Sequence, residues 1–265
     1  MAMSVVPIIT EGITMINEET RRKLREMNLE EMITILDLQS ADNTYAGLPF
    51  DERIKMLVDY IYQEKYNGKV KRLLKQAHFR IPNAETRDIY YTDRGLDREL
   101  MLELATCQFI HTSSSVIFQG FTGSGKSYLA CAVGRQAYKQ GIQTRYIRIP
   151  DLFMLRDEAV EEKMGIGKLL KKCSNYKLLL LDEWLLNDYS DDELHFLFEL
   201  LERRYGESST IFCTQYKVED WHARLGGGVL ADSIMDRIIH RSFRVYSGNI
   251  NMRELYAKRN CDPQH

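Results

Sequence analysis

Gly120-Phe-Thr-Gly-Ser-Gly-Lys126-Ser127 carries glycine, lysine and hydroxyl at the spacing G-x-x-x-x-G-K-[ST]. Chemistry on a polyphosphate needs those types in that order. Glycines let the backbone fold around phosphate oxygens without Cβ clashes, so that its N–H groups point inward. A following helix start adds positive potential. Gly120, Phe121, Thr122, Gly123, Ser124, Gly125, Lys126, Ser127 and Tyr128 are the expected nucleotide contacts. Lys126 is expected to neutralise the β- and γ-phosphates, and Ser127 to ligate Mg²⁺. A second group follows an apolar run: Leu178-Leu-Leu-Leu181 ends in Asp182 and Glu183. Carboxylates at such a strand end sit where α/β sheets bind ligands. Asp182 is expected to hold Mg²⁺ through its water shell, and Glu183 to orient and deprotonate an attacking water. That glutamate favours hydrolysis over transfer to an acceptor, so a small-molecule P-loop kinase is the weaker reading.

Two further groups are expected near the phosphates. Thr214 and Gln215 end a later apolar run, where hydroxyl and amide would polarise the water and sense the γ-phosphate. Arg237 lies among Ile234, Met235, Ile238 and Ile239 on an amphipathic stretch. It is either a finger reaching a neighbouring subunit's γ-phosphate or an arginine paired within its own chain. Arg241 and Arg244 are alternatives, and Arg253 is a weaker candidate to approach the nucleotide. The histidines show no metal spacing.

Basic faces suggest a polyanionic partner. Lys69, Lys71, Arg72 and Lys75 lie opposite Val70, Leu73, Leu74 and Ala77 on a helical projection, with Lys65 and Arg80 extending the stripe. Lys168, Lys171 and Lys172 form a second cluster. Both suit DNA phosphates, and nothing in them encodes base readout. A solvated amphipathic face is the alternative.

The elements that must hold these groups follow from periodicity. Residues 1–100 read as helical. Leu29, Met32, Ile33 and Leu36 give one stripe, with Asn28 and Glu31 resembling a capping box. Ile54, Leu57, Val58, Ile61 and Tyr62 give a second. Gly68 is expected to interrupt it before a third, which ends at Ile81-Pro82. From about residue 112 short apolar runs alternate with helices. Expected strands are Val116–Gln119, Thr144–Ile149, Lys177–Asp182, Thr210–Gln215 and Phe243–Tyr246. Helices are expected near 126–139, 151–160, 190–205 and 229–240. The alternation predicts an α/β fold with a five-stranded parallel sheet covered by helices on both faces. A boundary near 82–97 divides the chain into a helical DNA-binding region, 1–85, and a nucleotide domain, 86–265.

Composition agrees. The 265 residues carry 36 Lys+Arg against 38 Asp+Glu, a net charge of −2, with 44% hydrophobic and 28% charged residues. Disordered and collagen-like chains are excluded. No apolar run approaches the roughly 20 residues of a membrane span. Met1–Thr10 lacks a basic start and is not expected to be a secretory signal. The 5 cysteines are scattered, with no C-x-x-C, so reduced thiols and a cytoplasmic location are expected.

The order of these signals, phosphate loop, intervening strand, acidic pair, polar strand end and arginine-bearing helix, resembles an AAA+ ATPase core. Arg94-Gly-Leu-Asp-Arg98, Lys177–Trp184, Ser209–Gln215 and Ile234–His240 resemble the IstB-like ATP-binding proteins, insertion-sequence transposition helpers related to DnaC helicase loaders. Phe50-Asp-Glu-Arg-Ile and Lys71–Phe79 are similar to that family's helical DNA-binding region. The resemblance covers about residues 20–255. It implies ATP-bound subunits that assemble through their ATP sites on double-stranded DNA, deform it, and recruit or stimulate a partner transposase. A DnaC-like loader of a replicative helicase is the alternative. It also implies that a helix near 151–173 is the initiator-type insertion that faces nucleic acid. Two departures stand out. Gln215 occupies a position often held by Asn, and the residues after the last strand are too few for a full helical lid.

Overall fold

The computed structural model describes residues 16–162 and 165–261. The expectation for Met1–Thr10 lies outside them. The chain divides into two compact units, Met1–Lys69 and Val70–His265.

The first unit is helical. It holds α1 (Glu18–Glu26), α2 (Glu30–Ala41) and most of α3 (Phe50–Ala77). Asn17 caps α1, accepting from Thr20 N at 2.8 Å. The expected capping box does not form. Asn28 takes a left-handed φ of 57°, and Leu29 occupies the N-cap of α2 with no side-chain bond. The turn leading into α2 uses the asparagine's tolerance of that conformation instead of its side-chain oxygen.

Helix α3 runs unbroken through Gly68, where an interruption was expected. One glycine costs a helix about 1 kcal/mol, which its neighbours outweigh when no proline or cap stops the ladder. The helix ends at Ala77, and His78 turns the chain with a φ of 51°. The division at Lys69 also differs from the expected boundary at 85. Leu73, Ala77, Phe79, Ala84 and Ile89 are buried in the core of the second unit, so the segment after Lys69 belongs to the sheet domain.

The second unit continues with α4 (Arg98–Ala105), α5 (Gln108–His111), β1 (Ser115–Gln119), α6 (Lys126–Lys139), β2 (Thr144–Arg148), α7 (Ile149–Glu161), α8 (Gly165–Asn175) and β3 (Leu178–Trp184). Then come α9 (Asp191–Arg204), β4 (Ser209–Thr214), α10 (Trp221–Arg224), α11 (Gly228–Ile239), β5 (Ser242–Tyr246) and α12 (Met252–Cys261). The strands form one parallel sheet in the order β2-β3-β4-β1-β5. This is the fold expected from the sequence. The single helix expected near 151–173 is two, α7 and α8.

Burial explains the leucine run. Leu178 and Leu180 face the core under α6, whereas Leu179 and Leu181 face the core under α7, α9 and α11. A strand covered on both sides alternates direction yet stays apolar throughout. Ser190 and Glu193 form a capping box that starts α9. Among the described residues no helix is long and apolar enough to cross a membrane.

Candidate nucleotide site

The sheet order sets the site. β4 lies between β1 and β3, so Thr214 and Gln215 emerge between the phosphate loop and the acidic pair. All three strand ends open on one cavity of about 470 Å³.

The loop has the shape its glycines allow. Gly123 and Gly125 take φ values of 90° and 93°, and Gly125 is the N-cap of α6. A Cβ on Gly123 would lie 2.4 Å from Asn251 Oδ1, and one on Gly125 would lie 2.8 Å from an Arg94 nitrogen. Lys126 Nζ donates to Gly120 O at 2.7 Å and Phe121 O at 2.9 Å. Burial lowers its pKa, while Cys213 and Asp182 oppose that and Arg253 adds to it. A triphosphate would offer this ammonium charged acceptors in place of two carbonyls.

Opposite the loop, Asp182 is 3% exposed and fully engaged. Ser127 Oγ and the Tyr146 hydroxyl both donate to its Oδ2, each at 2.6 Å, and Glu183 N donates to its Oδ1 at 2.8 Å. Burial, then the charge of Asp182, pushes the Tyr146 phenol far above its usual range, so it stays a donor. The pairing of β3 with β4 shifts between Leu181 and Trp184, a bulge that re-aims the strand end. Glu183 accordingly has a φ of 63°. Its Oε1 lies 3.3 Å from Arg80 and its Oε2 3.9 Å from Arg148.

Hydroxyl and carboxylate oxygens this close, at a helix N-terminus, suit a small hard cation that keeps waters and takes phosphate oxygens. Among the described residues no cluster of three or more His, Cys, Asp or Glu offers a separate metal site. Thr122 Oγ1 donates to Gln215 Oε1 at 2.8 Å, which joins the loop to the polar strand end.

Several lining residues escaped sequence reasoning. Arg94 is 2% exposed. It donates to Ser124 O at 2.6 Å, Ser247 O at 2.8 Å and Tyr90 O at 3.1 Å, which ties the phosphate loop to the chain after β5. Arg80, Met252, Arg253 and Tyr256 complete the wall, and the Tyr146 hydroxyl bonds Asp182, another of its residues. Arg94 stands in the Arg94-Gly-Leu-Asp motif, Arg80 in the basic stripe and Arg253 among the candidates near nucleotide, whereas nothing in the sequence marks Met252 or Tyr256. Met252, Arg253 and Tyr256 bring α12 to the cavity.

Arg237 lies elsewhere. It pairs with Glu202 of α9, donates to Ser233 O at 2.8 Å and stacks 4.7 Å from the Phe198 ring. Lys71, Arg72 and Lys75 are exposed on α3, as are Lys168, Lys171 and Lys172 on α8, and Lys69 is exposed in the first unit. Arg145 donates to Gln76 O at 3.2 Å, and burial, then Arg145 and Lys172, lower the pKa of His78.

Comparisons with known proteins agree with this architecture. The model of the IstB-like ATP binding protein family matches residues 22–260. A putative insertion sequence ATP-binding protein of Sinorhizobium fredii is 32% identical over 233 residues, 87% of this chain and 94% of that one. The putative ATP-binding protein of insertion sequence IS1162 from Pseudomonas fluorescens is 31% identical, over 76% of this chain and 87% of its own. Among solved structures, DnaI covers 69% of this chain and 93% of its own at 20% identity, with a TM-score of 0.54. The DnaC helicase loader covers 61% and 95% at 24% identity, with a TM-score of 0.51. Those structural likenesses speak for the fold.

Proposed function

The chain belongs to the IstB-like ATP-binding protein family, and from that premise we propose that it is a DNA-binding ATPase that assists transposition. In this reading it binds and hydrolyses ATP, self-assembles on double-stranded DNA through its ATP sites, and recruits or stimulates a partner transposase. The observation that carries the reading is the convergence of Lys126, Ser127, Asp182 and Glu183 on one cavity, with Ser127 and Asp182 2.6 Å apart.

The chemistry follows from those positions. Backbone N–H groups of residues 120–127 cradle the phosphates, and Lys126 leaves its carbonyls for the β- and γ-oxygens. Ser127 and Asp182 are the residues that would hold Mg²⁺, which would supply neutralisation of phosphate charge. Tyr146 keeps Asp182 oriented by a second hydrogen bond. Glu183 accepts a proton from water as that water's oxygen bonds to the γ-phosphorus and the bond to the β–γ bridging oxygen breaks. Gln215 has its carbonyl oxygen taken by Thr122, which turns its amide N–H groups toward ligand. Arg237 of a neighbouring subunit supplies positive charge after exchanging Glu202 for phosphate, with Arg241 and Arg244 as alternatives.

Exposed lysines and arginines on α3 and α8 contact the DNA backbone, so affinity falls steeply with salt. The protein acts in the cytoplasm, where DNA and transposase are found.

ATP turnover of the full chain, with and without duplex DNA, tests the reading. Lys126→Ala is expected to weaken ATP binding by about 100-fold, the loss of a charge-assisted contact to phosphate. Chelation of Mg²⁺ is expected to stop turnover. Turnover per subunit should rise with protein concentration if Arg237 acts in trans. Flat specific activity across dilution would remove that assignment. Co-purification with a helicase in place of a transposase would favour a loader.

A further inference from the structure

The bend that aims Glu183 is an unfavourable one for its residues. Glu183 and Leu185 both take left-handed backbone, with φ of 63° and 60°, on either side of the buried Trp184. Glutamate and leucine resist that conformation, so surrounding groups must hold it. Two side chains do so at the backbone. Leu185 N donates to the Tyr189 hydroxyl at 2.7 Å. Arg224 Nη2 donates to the Leu185 carbonyl at 3.0 Å and the Leu186 carbonyl at 3.3 Å. The turn also closes on itself, since Leu186 N donates to Glu183 O at 3.2 Å.

Arg224 stands on α10, outside every nucleotide motif. Its guanidinium carbon lies 4.4 Å from the centre of the Tyr216 ring. Tyr216 directly follows Gln215, and its N–H donates to Thr214 Oγ1 at 3.1 Å. Helix α10 is fastened to the same place, where Trp221 Nε1 donates to Tyr216 O at 3.4 Å. One planar group thus spans the exits of β3 and β4, which carry Glu183 and Gln215 to the cavity. A guanidinium suits this, because it stacks by its face and donates by its edge. Its bonding is unlike that of Arg204, whose Nε and both Nη atoms find oxygens. Arg224 Nε is buried with no acceptor among the described residues. An unmade buried bond costs stability, and that cost is borne where the group bends the strand end.

We propose that Arg224 is a positioning residue for hydrolysis: stacked on Tyr216 and bonded to the Leu185 and Leu186 carbonyls, it fixes the bent end of β3 against the exit of β4 and so sets where the Glu183 carboxylate stands. The inference rests on the ATPase reading above and deepens it. In that reading the phosphates are gripped by the loop between β1 and α6, a separate part of the sheet edge. A shift of the turn after β3 therefore moves the base relative to the phosphate without loosening the nucleotide. A general base out of place loses rate and leaves affinity intact.

The test is steady-state ATP turnover of the full chain for Arg224→Met, Arg224→Lys and Tyr216→Leu, alongside binding of a fluorescent ATP analogue. Arg224→Met is expected to lower kcat by about tenfold, with KM and analogue affinity held within about twofold. Arg224→Lys recovers part of the rate, because lysine keeps a donor for the carbonyls but has no flat face. Tyr216→Leu removes the stack alone and lowers kcat by about threefold. The decisive measurement is made in Glu183→Gln. There, adding Arg224→Met should cost less than about twofold, because the base that it positions is already gone. A full tenfold loss repeated in that background would overturn the proposal and leave Arg224 a general support of the fold. So would an unchanged kcat in Arg224→Met, or a fall in analogue affinity matching the fall in kcat. If Arg224→Met does not fold, Arg224→Lys and Tyr216→Leu carry the same comparisons. A wild type that binds no ATP analogue, or that loses no turnover in Glu183→Gln, would defeat the ATPase reading itself, and so is told apart from failure of the positioning role.

Discussion

The two ends of the sheet bury arginine to the same degree and use it in opposite ways. At the carboxyl ends of the strands Arg94 is 2% exposed, and one of its acceptors is the Ser124 carbonyl of the phosphate loop. At the amino ends Arg204 is also 2% exposed, surrounded by Cys173, Ser174, Tyr176 and Ser209 carbonyls and the Thr210 hydroxyl. Both guanidiniums are satisfied by neutral oxygens. What separates them is space and opposite charge. Arg94 adjoins a cavity of about 470 Å³ that also holds Lys126, Asp182 and Glu183. Arg204 adjoins one of about 20 Å³, room for a single water. Arg237 lines that smaller cavity. A buried charge therefore marks function only where the fold leaves room for a ligand beside it. Elsewhere it fastens strand ends.

Substitutions at the two ends should separate cleanly. Glu183→Gln is expected to lower kcat by about 10²–10⁴-fold, the range for removing a general base, with ATP affinity kept. Single-turnover hydrolysis and analogue binding measure the two. Arg204→Met should cost about 3 kcal/mol of folding stability, because several buried carbonyls lose their donor. Denaturant unfolding would show this, with ATP affinity of the folded protein unchanged. A matched loss of ATP affinity would erase the contrast between the ends. Arg94→Met is expected to cost about 2 kcal/mol of stability and, unlike Arg204→Met, to weaken ATP binding by about tenfold, because the loop carbonyl it holds is freed. Equal effects of the two arginines on binding would break the comparison. The smallest change is Thr122→Val, which removes one hydrogen bond to Gln215. About 1 kcal/mol, or roughly fivefold in kcat, is expected with little change in melting temperature.

Legibility in the sequence differed between the same regions. The phosphate loop was readable because its chemistry is local: eight consecutive residues contain the cradle, the ammonium and the hydroxyl. The leucine run before Asp182 was readable because a strand buried on both faces has no polar position. Arg80 and Tyr146 were not, since Arg80 meets Glu183 across 103 positions and Tyr146 meets Asp182 across 36. Gly68 misled because propensity is a weak local cost beside a long hydrogen-bonded ladder. Asn28 and Glu31 had capping-box spacing, but the turn before α2 took the backbone conformation open to asparagine instead. Arg237 had two readings, and within this chain Glu202 and Phe198 occupy it.

Composition and short spacings by themselves determined an α/β nucleotide-binding chain with a helical first part, because glycine φ freedom, strand alternation and helix periodicity act over a few residues. Tertiary structure alone decided that β4 separates the two motifs, that the segment after Lys69 joins the core of the sheet domain, and that Arg80 and Tyr146 meet the acidic pair. Those outcomes depend on which distant segments share a core, and burial is settled by the whole chain at once.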